Sequence, residues 1–430
     1  MHDPVFFFTE LDESRRPKGS RDPVGLEPIW SQAGRKLVGN LTTVTRSLDN
    51  FILTLLGFAV AARGSGGQTN GVEPDSPLFY LRFERFEQLA AWGRVAFERS
   101  DVIGTRMIAA RNDARNGGTV AIGAGAAARI LGDQRRSGLW GLYSSALMGT
   151  KLIDTKRKLT PQGFRLVKPF LDRYLSPAMG TLRACMDNPA LTIDVDPATL
   201  DVGPLLDSHG RDELAAHLLR DGDGDMQQAI YEQVRSPNFA QIEKVGVLFR
   251  TLASDPASQP KLAAYARNVI QLERMLVVVA AAFDFLLGPQ LRSLKQVVQR
   301  FVDAGWGEPS VWSALTPPEN EFRRIFTGVW QRRVDQLYRI VGHLHAGAIA
   351  EFIYALLDFH AGIMRERGGP AWVYIDESGA MRGIMGEQRA LPEPRSLLGR
   401  WSNDYFIGAF ISLLRSTSAH AASVDHEVAA

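Results

Sequence analysis

Residues 135–175 read RRSGLWGLYSSALMGTKLIDTKRKLTPQGFRLVKPFLDRYL, and most expectations about the chain depend on them. The segment Leu139–Met148, apolar and rich in small residues, predicts a short helix. Lys151–Thr160 predicts two short strands around a basic tip at Asp154–Lys158. Pro161 predicts the start of another helix, because proline is favoured in the first helical turn. The stretch therefore predicts a helix, a β-hairpin and a helix in that order.

This order resembles the wing of winged-helix DNA-binding domains, and the resemblance covers residues 85–175. In that family one helix enters the major groove while the hairpin tip touches phosphate or the minor groove. LTPQG (159–163) is similar to the step after the wing in many bacterial winged-helix regulators. The resemblance implies DNA contact through basic side chains before the short helix, on the hairpin and on the following helix: Arg135, Arg136, Lys151, Lys156, Arg157, Lys158, Arg165 and Lys168. The same module can instead serve for protein contact, and the sequence leaves that alternative open.

Composition limits the class of protein. With 430 residues, the chain is long enough for two or three domains. Its 45% apolar and 22% charged residues are ordinary globular values that exclude wholesale disorder. The net charge of +2 means that contact with nucleic acid would depend on a local patch. No secretory leader or bilayer-length apolar run is visible, so we expect a cytoplasmic protein.

The predicted fold is mainly α, a helical bundle body with an embedded winged-helix module and a small C-terminal β-hairpin. RGSGGQTNGVEPDSP (63–77) is the clearest linker, and AWVYIDESGAMRGIMG (371–386) predicts two strands around a turn at Asp376–Gly379. We expect five segments: an N-terminal arm and core helix (1–78), the winged-helix module (79–175), a helical domain (176–368), the β-hairpin with a closing helix (369–415), and a disordered tail (416–430).

The glycine-rich segment Thr119–Gly132 resembles the strand and glycine turn of a dinucleotide-binding fold. That fold requires an acidic residue at the end of a second strand about 20 residues later. The sequence after Leu131 is instead GDQRRSGLW, polar and basic. We therefore interpret the segment as an Ala/Gly-rich first helix of the winged-helix module and expect no cofactor.

Acidic residues in DGDGDMQQAIYE (221–232) match the ligand spacing of a calcium loop at positions 1, 3, 5 and 12. Met226 stands where that loop requires glycine, and a helix begins close to it. We interpret the segment as an acidic loop that caps a helix.

Three histidines, His343, His345 and His360, could bind a transition metal. However, the two rings of a His-x-His pair point to different faces of a helix, and packing at a helix–helix turn is the favoured interpretation. Cys185 is the only cysteine, which excludes a disulfide framework and a Cys-based zinc site.

The sequence contains no P-loop, no G-x-S-x-G elbow and no H-E-x-x-H motif. We therefore expect a non-enzymatic bacterial protein that binds DNA or acts as an adaptor in a multi-protein complex, with no membrane partner; reading a palindrome would require a homodimer. The opening PKGSRDPVGLEPIWSQAGRKLVGNLTT (17–43) resembles uncharacterised components of multi-gene phage-defence clusters. Two alternatives stay open: a metal-dependent hydrolase or nuclease built from the dispersed histidines or the Asp221–Asp225 cluster, and a pure protein scaffold.

Overall fold

The computed structural model of the chain describes residues 22–63, 71–74, 76–96, 103–104, 107–108, 118–176, 178–196, 210–236, 239, 241–288, 292–383 and 389–417. Within these ranges the protein is mainly α-helical with two small antiparallel sheets. The start of the predicted N-terminal arm and almost all of the predicted tail lie outside the described residues. Contacts divide the chain into two compact units. We call them the wing unit (Gly34–Glu243 with Asp404–Ala430) and the long-helix unit (Met1–Ala33 with Lys244–Asn403).

The division between the two units falls within the first helix, Glu27–Leu37. The elements from this helix to residue 234 come first in the chain. They are α1 (Glu27–Leu37), α2 (Leu48–Ala62), α3 (Pro77–Ala96), β1 (Val120–Gly123), α4 (Gln134–Ser137), α5 (Leu139–Gly149), α6 (Pro161–Phe170), α7 (Met179–Asp187), β2 (Thr192–Val195), α8 (Arg211–Arg220) and α9 (Gln227–Val234). A π-helical turn, Leu171–Leu175, extends α6.

The core of the wing unit is built around α2, which is buried along almost its whole length and packs against α3, α5 and α6. The Ser47 side chain caps its first turn by accepting a hydrogen bond from the Asn50 N–H. Trp140, at the start of α5, is buried at this junction. Its ring makes edge contacts with three phenylalanines from α2 and α3: Phe58, Phe79 and Phe83.

The glycine-rich segment after residue 118 is not the predicted helix. It forms β1, which pairs antiparallel with β2 from Val120↔Val195 to Gly123↔Thr192. Gly123 and Gly125 adopt φ values of 119° and 113°, which interrupt a helix and which side chains other than glycine rarely adopt. The antiparallel pairing also differs from the parallel βαβ unit of a dinucleotide-binding fold.

The long-helix unit contains the elements from residue 245 to residue 398. They are α10 (Val245–Ser254), α11 (Pro260–Leu286), β3 (Arg292–Ser293), α12 (Leu294–Asp303), a 3-10 helix (Pro309–Ala314), α13 (Asn320–Arg323), α14 (Val329–His345), α15 (Ile349–Glu366), β4 (Val373–Ile375), β5 (Ala380–Gly383) and α16 (Pro394–Leu398). A last helix, α17 (Ile407–Arg415), belongs to the wing unit and packs against α8.

The 27-residue α11 is the central element of the long-helix unit and packs against α10, α14 and α16. Its buried Glu273 accepts hydrogen bonds from the backbone N–H groups of Ser402 and Asn403 at 2.6 and 3.0 Å. The predicted C-terminal hairpin is confirmed, because β4 and β5 pair antiparallel and β3 adds to β5. Among the described helices, none combines the length and apolarity required to cross a lipid bilayer.

Candidate nucleic-acid interface

The basic hairpin predicted at residues 151–160 is present, in a minimal form. A single antiparallel bridge joins Ile153 to Leu159. The Asp154 N–H donates to the Lys158 carbonyl at 2.9 Å, and the Arg157 N–H donates back to the Asp154 carbonyl at 3.0 Å. Arg157 takes a left-handed φ of 63°. These bonds define a tight turn followed by a left-handed residue, a common three-residue hairpin connection.

The Asp154 carboxylate fixes the tip of this hairpin. Its Oδ1 atom accepts hydrogen bonds from the N–H groups of Lys156 and Lys158, both at 2.9 Å. A short acidic side chain that bonds the backbone two residues later is the usual way in which aspartate stabilises a turn. The backbone at both lysines is therefore held in place while their side chains extend outward.

The base of the hairpin is packed into the wing unit. Leu152 and Ile153 are buried. The Thr160 hydroxyl donates to the Lys151 carbonyl at 2.8 Å and accepts from the Gly163 N–H at 3.1 Å, so it caps α6 and ties it to the hairpin. Gly163 must lack a side chain, because a Cβ there would overlap the Leu152 carbonyl oxygen. The predicted start of a helix at Pro161 is confirmed.

The basic residues predicted to contact DNA differ in whether their side chains are paired with other residues of the protein. Lys151, Lys156 and Lys158 are exposed, and no ion pair between described residues involves them. On α6, exposed Lys168 pairs with Asp172 and exposed Arg165 bonds Gln162.

The arginines near the hairpin make more contacts with the protein than the lysines do. Arg135 and Arg136 are both exposed, and the guanidinium of Arg135 lies 4.9 Å from the Tyr80 ring centroid. Arg157 is half-buried, with its guanidinium over the Trp140 ring. Its charge therefore faces the protein, unlike those of the two adjacent lysines.

The helix predicted to enter the major groove, α5, is poorly equipped for that task. Gly138 alone separates it from the four-residue α4, which leaves no extended turn between them. Most of its side chains are buried, and its outward positions are Gly141, Leu142, Ser145, Met148 and Gly149. Base edges are read mainly by arginine, lysine, asparagine and glutamine, which this face does not carry.

Glu87 on α3, which no motif in the sequence indicates, holds the start of α5. Its carboxylate is buried and accepts hydrogen bonds from the Leu139 N–H at 2.5 Å and from the Gln134 amide at 2.9 Å. Burial raises the pKa of Glu87 to about 7. Gly138 makes this contact possible, since a Cβ there would lie 2.5 Å from the carboxylate.

The candidate metal ligands do not come together. Among the described residues, no group of three His, Cys, Asp or Glu side chains could hold a metal ion. His360 is fully buried, and both of its ring nitrogens are within 2.8 Å of backbone partners. In the acidic loop, Asp221 pairs with His217 and Arg220, and Asp225 pairs with Lys36.

Cys185 is buried, and burial raises the pKa of its thiol, which disfavours the nucleophilic thiolate. The segment VYIDESG is a hairpin turn in which Asp376 accepts hydrogen bonds from the N–H groups of Ser378 and Ala380. These residues therefore have structural explanations.

A comparison of the chain with protein-family models, with curated proteins and with solved structures finds no match.

Proposed function

We propose that the chain is a non-enzymatic protein that contacts the phosphate backbone of nucleic acid through the basic hairpin at residues 151–160. The observation that carries the proposal is the pair Lys156 and Lys158. Both are exposed, neither has an ion-pair partner among the described residues, and Asp154 fixes the backbone of the tip that carries them. Lysine is well suited to phosphate because it presents a compact point charge. Lys151 at the base of the hairpin extends the same cationic surface.

The order of elements also supports a winged-helix interpretation. Among the elements given above for the described residues, α3 precedes β1, the short α4, α5 and the hairpin, which is the order of helices and strands around a wing. The outward face of α5 lacks side chains that read bases, so we expect contact that depends on charge rather than on sequence. Such a protein would act as a DNA-binding or adaptor subunit within a larger assembly.

Phe164 favours a second candidate, contact with an acidic protein surface. This residue lies on α6 between Arg165 and the hairpin, and 44% of its surface is exposed. Exposed aromatic rings are enriched where proteins meet. An acidic partner would use the same lysines together with this ring.

The test is a fluorescence anisotropy titration of duplex DNA between about 50 and 200 mM salt. The variant changes Lys151, Lys156 and Lys158 to alanine. If each lysine neutralises one phosphate, the slope of log affinity against log salt falls by about 3 in magnitude. The matched control changes three exposed lysines of the long-helix unit to alanine and removes the same charge: Lys244, Lys261 and Lys295.

Equal losses in the two triple variants would show that only net charge matters, and absence of binding at low salt would reject DNA contact. Binding of polyglutamate instead of DNA, weakened by the hairpin variant and by Phe164→Ala, would favour the acidic protein partner.

A further inference from the structure

The basic hairpin runs back along the side of α5. Lys151 stands just after the C-terminal end of α5, whereas the guanidinium of Arg157 lies over the ring of Trp140, near the start of the same helix. A helix of 11 residues is about 16 Å long, so the hairpin follows a substantial part of this length. Its exposed lysines therefore form an elongated cationic strip, with Lys151 at one end and Lys156 and Lys158 at the other.

Ring contacts extend this cationic strip past the start of α5. The Trp140 ring, which Arg157 covers, lies 5.1 Å from the Tyr80 ring, and the guanidinium of Arg135 lies 4.9 Å from the centroid of that ring. These contacts form a continuous series from the hairpin tip to α4. Arg135 and its neighbour Arg136 are exposed. The series therefore positions two further cations next to the tip of the hairpin.

An exposed aromatic ring lies at the other end of the cationic strip. Among the wing-unit side chains that the structure describes, Phe164 is the one exposed aromatic residue, and 44% of its surface is accessible. The Phe164 N–H donates to the Thr160 carbonyl at 2.8 Å, and the Thr160 hydroxyl donates to the Lys151 carbonyl at 2.8 Å. These two hydrogen bonds hold the first turn of α6 against the base of the hairpin. Phe164 is therefore held beside the Lys151 end of the strip.

This combination of side chains indicates which form of DNA fits the surface. In a duplex the bases are stacked inside, and their edges are read by side chains that the outward face of α5 does not carry. A single strand exposes the faces of its bases, which stack on aromatic rings, while its phosphates follow a cationic surface. The ring of Phe164 beside a row of lysines offers both contacts.

We propose that this surface binds single-stranded DNA, with one base stacked on Phe164 and the phosphates along the strip of Lys151, Lys156 and Lys158. The inference rests on the proposed phosphate contact of the hairpin and adds the form of DNA that the surface prefers. A duplex reaches the same lysines but leaves the ring of Phe164 unused. The protein therefore binds a single strand more tightly than a duplex of the same length.

The test is a fluorescence anisotropy titration of the full chain at about 150 mM salt. The three probes are an oligothymidylate of about 16 nucleotides, an abasic strand with the same number of phosphates, and a duplex of the same length. The oligothymidylate binds about fivefold or more tightly than the abasic strand, because only its bases can stack. Phe164→Ala removes this advantage and leaves the affinities for the abasic strand and the duplex unchanged.

Two further variants of Phe164 separate base stacking from general apolar contact. Phe164→Leu keeps an apolar side chain without an aromatic face, so it binds the oligothymidylate as weakly as Phe164→Ala does. Phe164→Trp keeps an aromatic face and retains the tight binding. Tyr354→Ala removes an exposed aromatic ring from the long-helix unit, is the matched control, and leaves the affinities for all three probes unchanged.

Equal binding of the oligothymidylate and the abasic strand, tighter binding of the duplex, or an equal loss for all three probes in Phe164→Ala overturns this inference. The phosphate contact of the hairpin stands in each of these cases. Lack of binding of all three probes rejects the proposed function as well. If Phe164→Ala weakens binding of polyglutamate but not of the oligothymidylate, the ring serves an acidic protein surface and the inference is wrong.

Discussion

The guanidinium carbon of Arg157 lies 4.7 Å from the centroid of the Trp140 ring. Because Trp140 is buried among phenylalanines of α2 and α3, this contact ties the tip of the hairpin to the core of the wing unit. Arg157 reaches the ring from a left-handed backbone conformation, which costs a residue other than glycine about 1–2 kcal/mol. A cation–π contact of about 0.5–2 kcal/mol offsets that cost.

Two substitutions of Arg157 separate the cost of its left-handed backbone from the gain of its contact with Trp140. Arg157→Ala keeps the backbone strain and loses the contact, whereas Arg157→Gly loses the contact and relieves the strain. We therefore expect the glycine variant to unfold at a higher urea concentration than the alanine variant, by about 1 kcal/mol in free energy. Urea unfolding followed by circular dichroism measures the difference. Equal stability of the two variants would mean that residue 157 is not held in the left-handed region.

The contact between Gly163 and the Leu152 carbonyl gives a second prediction. Gly163→Ala places a methyl group against backbone that must move, so we expect a loss of about 1–3 kcal/mol in the free energy of unfolding. The matched control is Gly180→Ala on α7, where an added Cβ meets no atom within 4 Å. Alanine there should stabilise the helix by about 0.5–1 kcal/mol. Urea unfolding measures both variants, and a loss of equal size in both would contradict the close approach.

The hairpin and the start of α6 could be predicted because their signals are local. Thr160 caps the helix that Pro161 begins, and Asp154 bonds backbone groups two and four residues away. These interactions lie within about ten residues of sequence, so residue type and order are sufficient to indicate them.

What could not be predicted depends on distant partners. Glu87 is one of several charged residues on α3, and nothing near it indicates that its carboxylate bonds Leu139, 52 residues later. The alanines that follow Val120 in the sequence favour a helix. The segment instead forms β1, which pairs with β2 about 70 residues later. Tertiary pairing overrides local propensity at both places.

Glu87 predicts a specific dependence of stability on pH. Its pKa rises from 4.5 in an unfolded chain to about 7 in the folded protein. Between these pH values the carboxyl group of Glu87 has lost its proton in the unfolded chain but keeps it in the folded protein. The stability that Glu87 contributes is therefore fully present below about pH 4.5 and is lost as the pH rises towards 7. The difference corresponds to about 3 kcal/mol.

Glu87→Gln should remove this contribution while keeping an oxygen that accepts from the Leu139 N–H. The informative quantity is the slope of unfolding free energy against pH, because the amide also alters the bond with Gln134. We expect a smaller decline between about pH 4.5 and 7 in the variant than in the wild type, measured by urea unfolding at several pH values. Parallel curves for the two proteins would show that Glu87 titrates near its ordinary value.

His360 in the long-helix unit predicts the opposite dependence. One ring nitrogen, Nδ1, lies 2.8 Å from the Pro23 carbonyl oxygen, and the other, Nε2, accepts from the Trp372 N–H at 2.8 Å. These partners fix the neutral ring with its proton on Nδ1, and burial lowers the pKa of His360. The stability that His360 contributes is therefore present above the ordinary histidine pKa of about 6.5 and is lost as pH falls below it.

Replacing His360 with phenylalanine keeps a ring in the buried site but leaves the Pro23 carbonyl and the Trp372 N–H without their partner. Each of the two buried groups left unsatisfied costs about 1–3 kcal/mol, so we expect a loss of about 2–6 kcal/mol near neutral pH. The loss should shrink as the solution becomes more acidic, because the wild-type protein then loses the stability that the variant already lacks. Urea unfolding near pH 7.5 and pH 5 measures this convergence, and ¹⁵N chemical shifts of the ring report the tautomer directly. A loss that stays constant across this range, or a ring that carries its proton on Nε2, would contradict the bonding of His360 to both backbone segments.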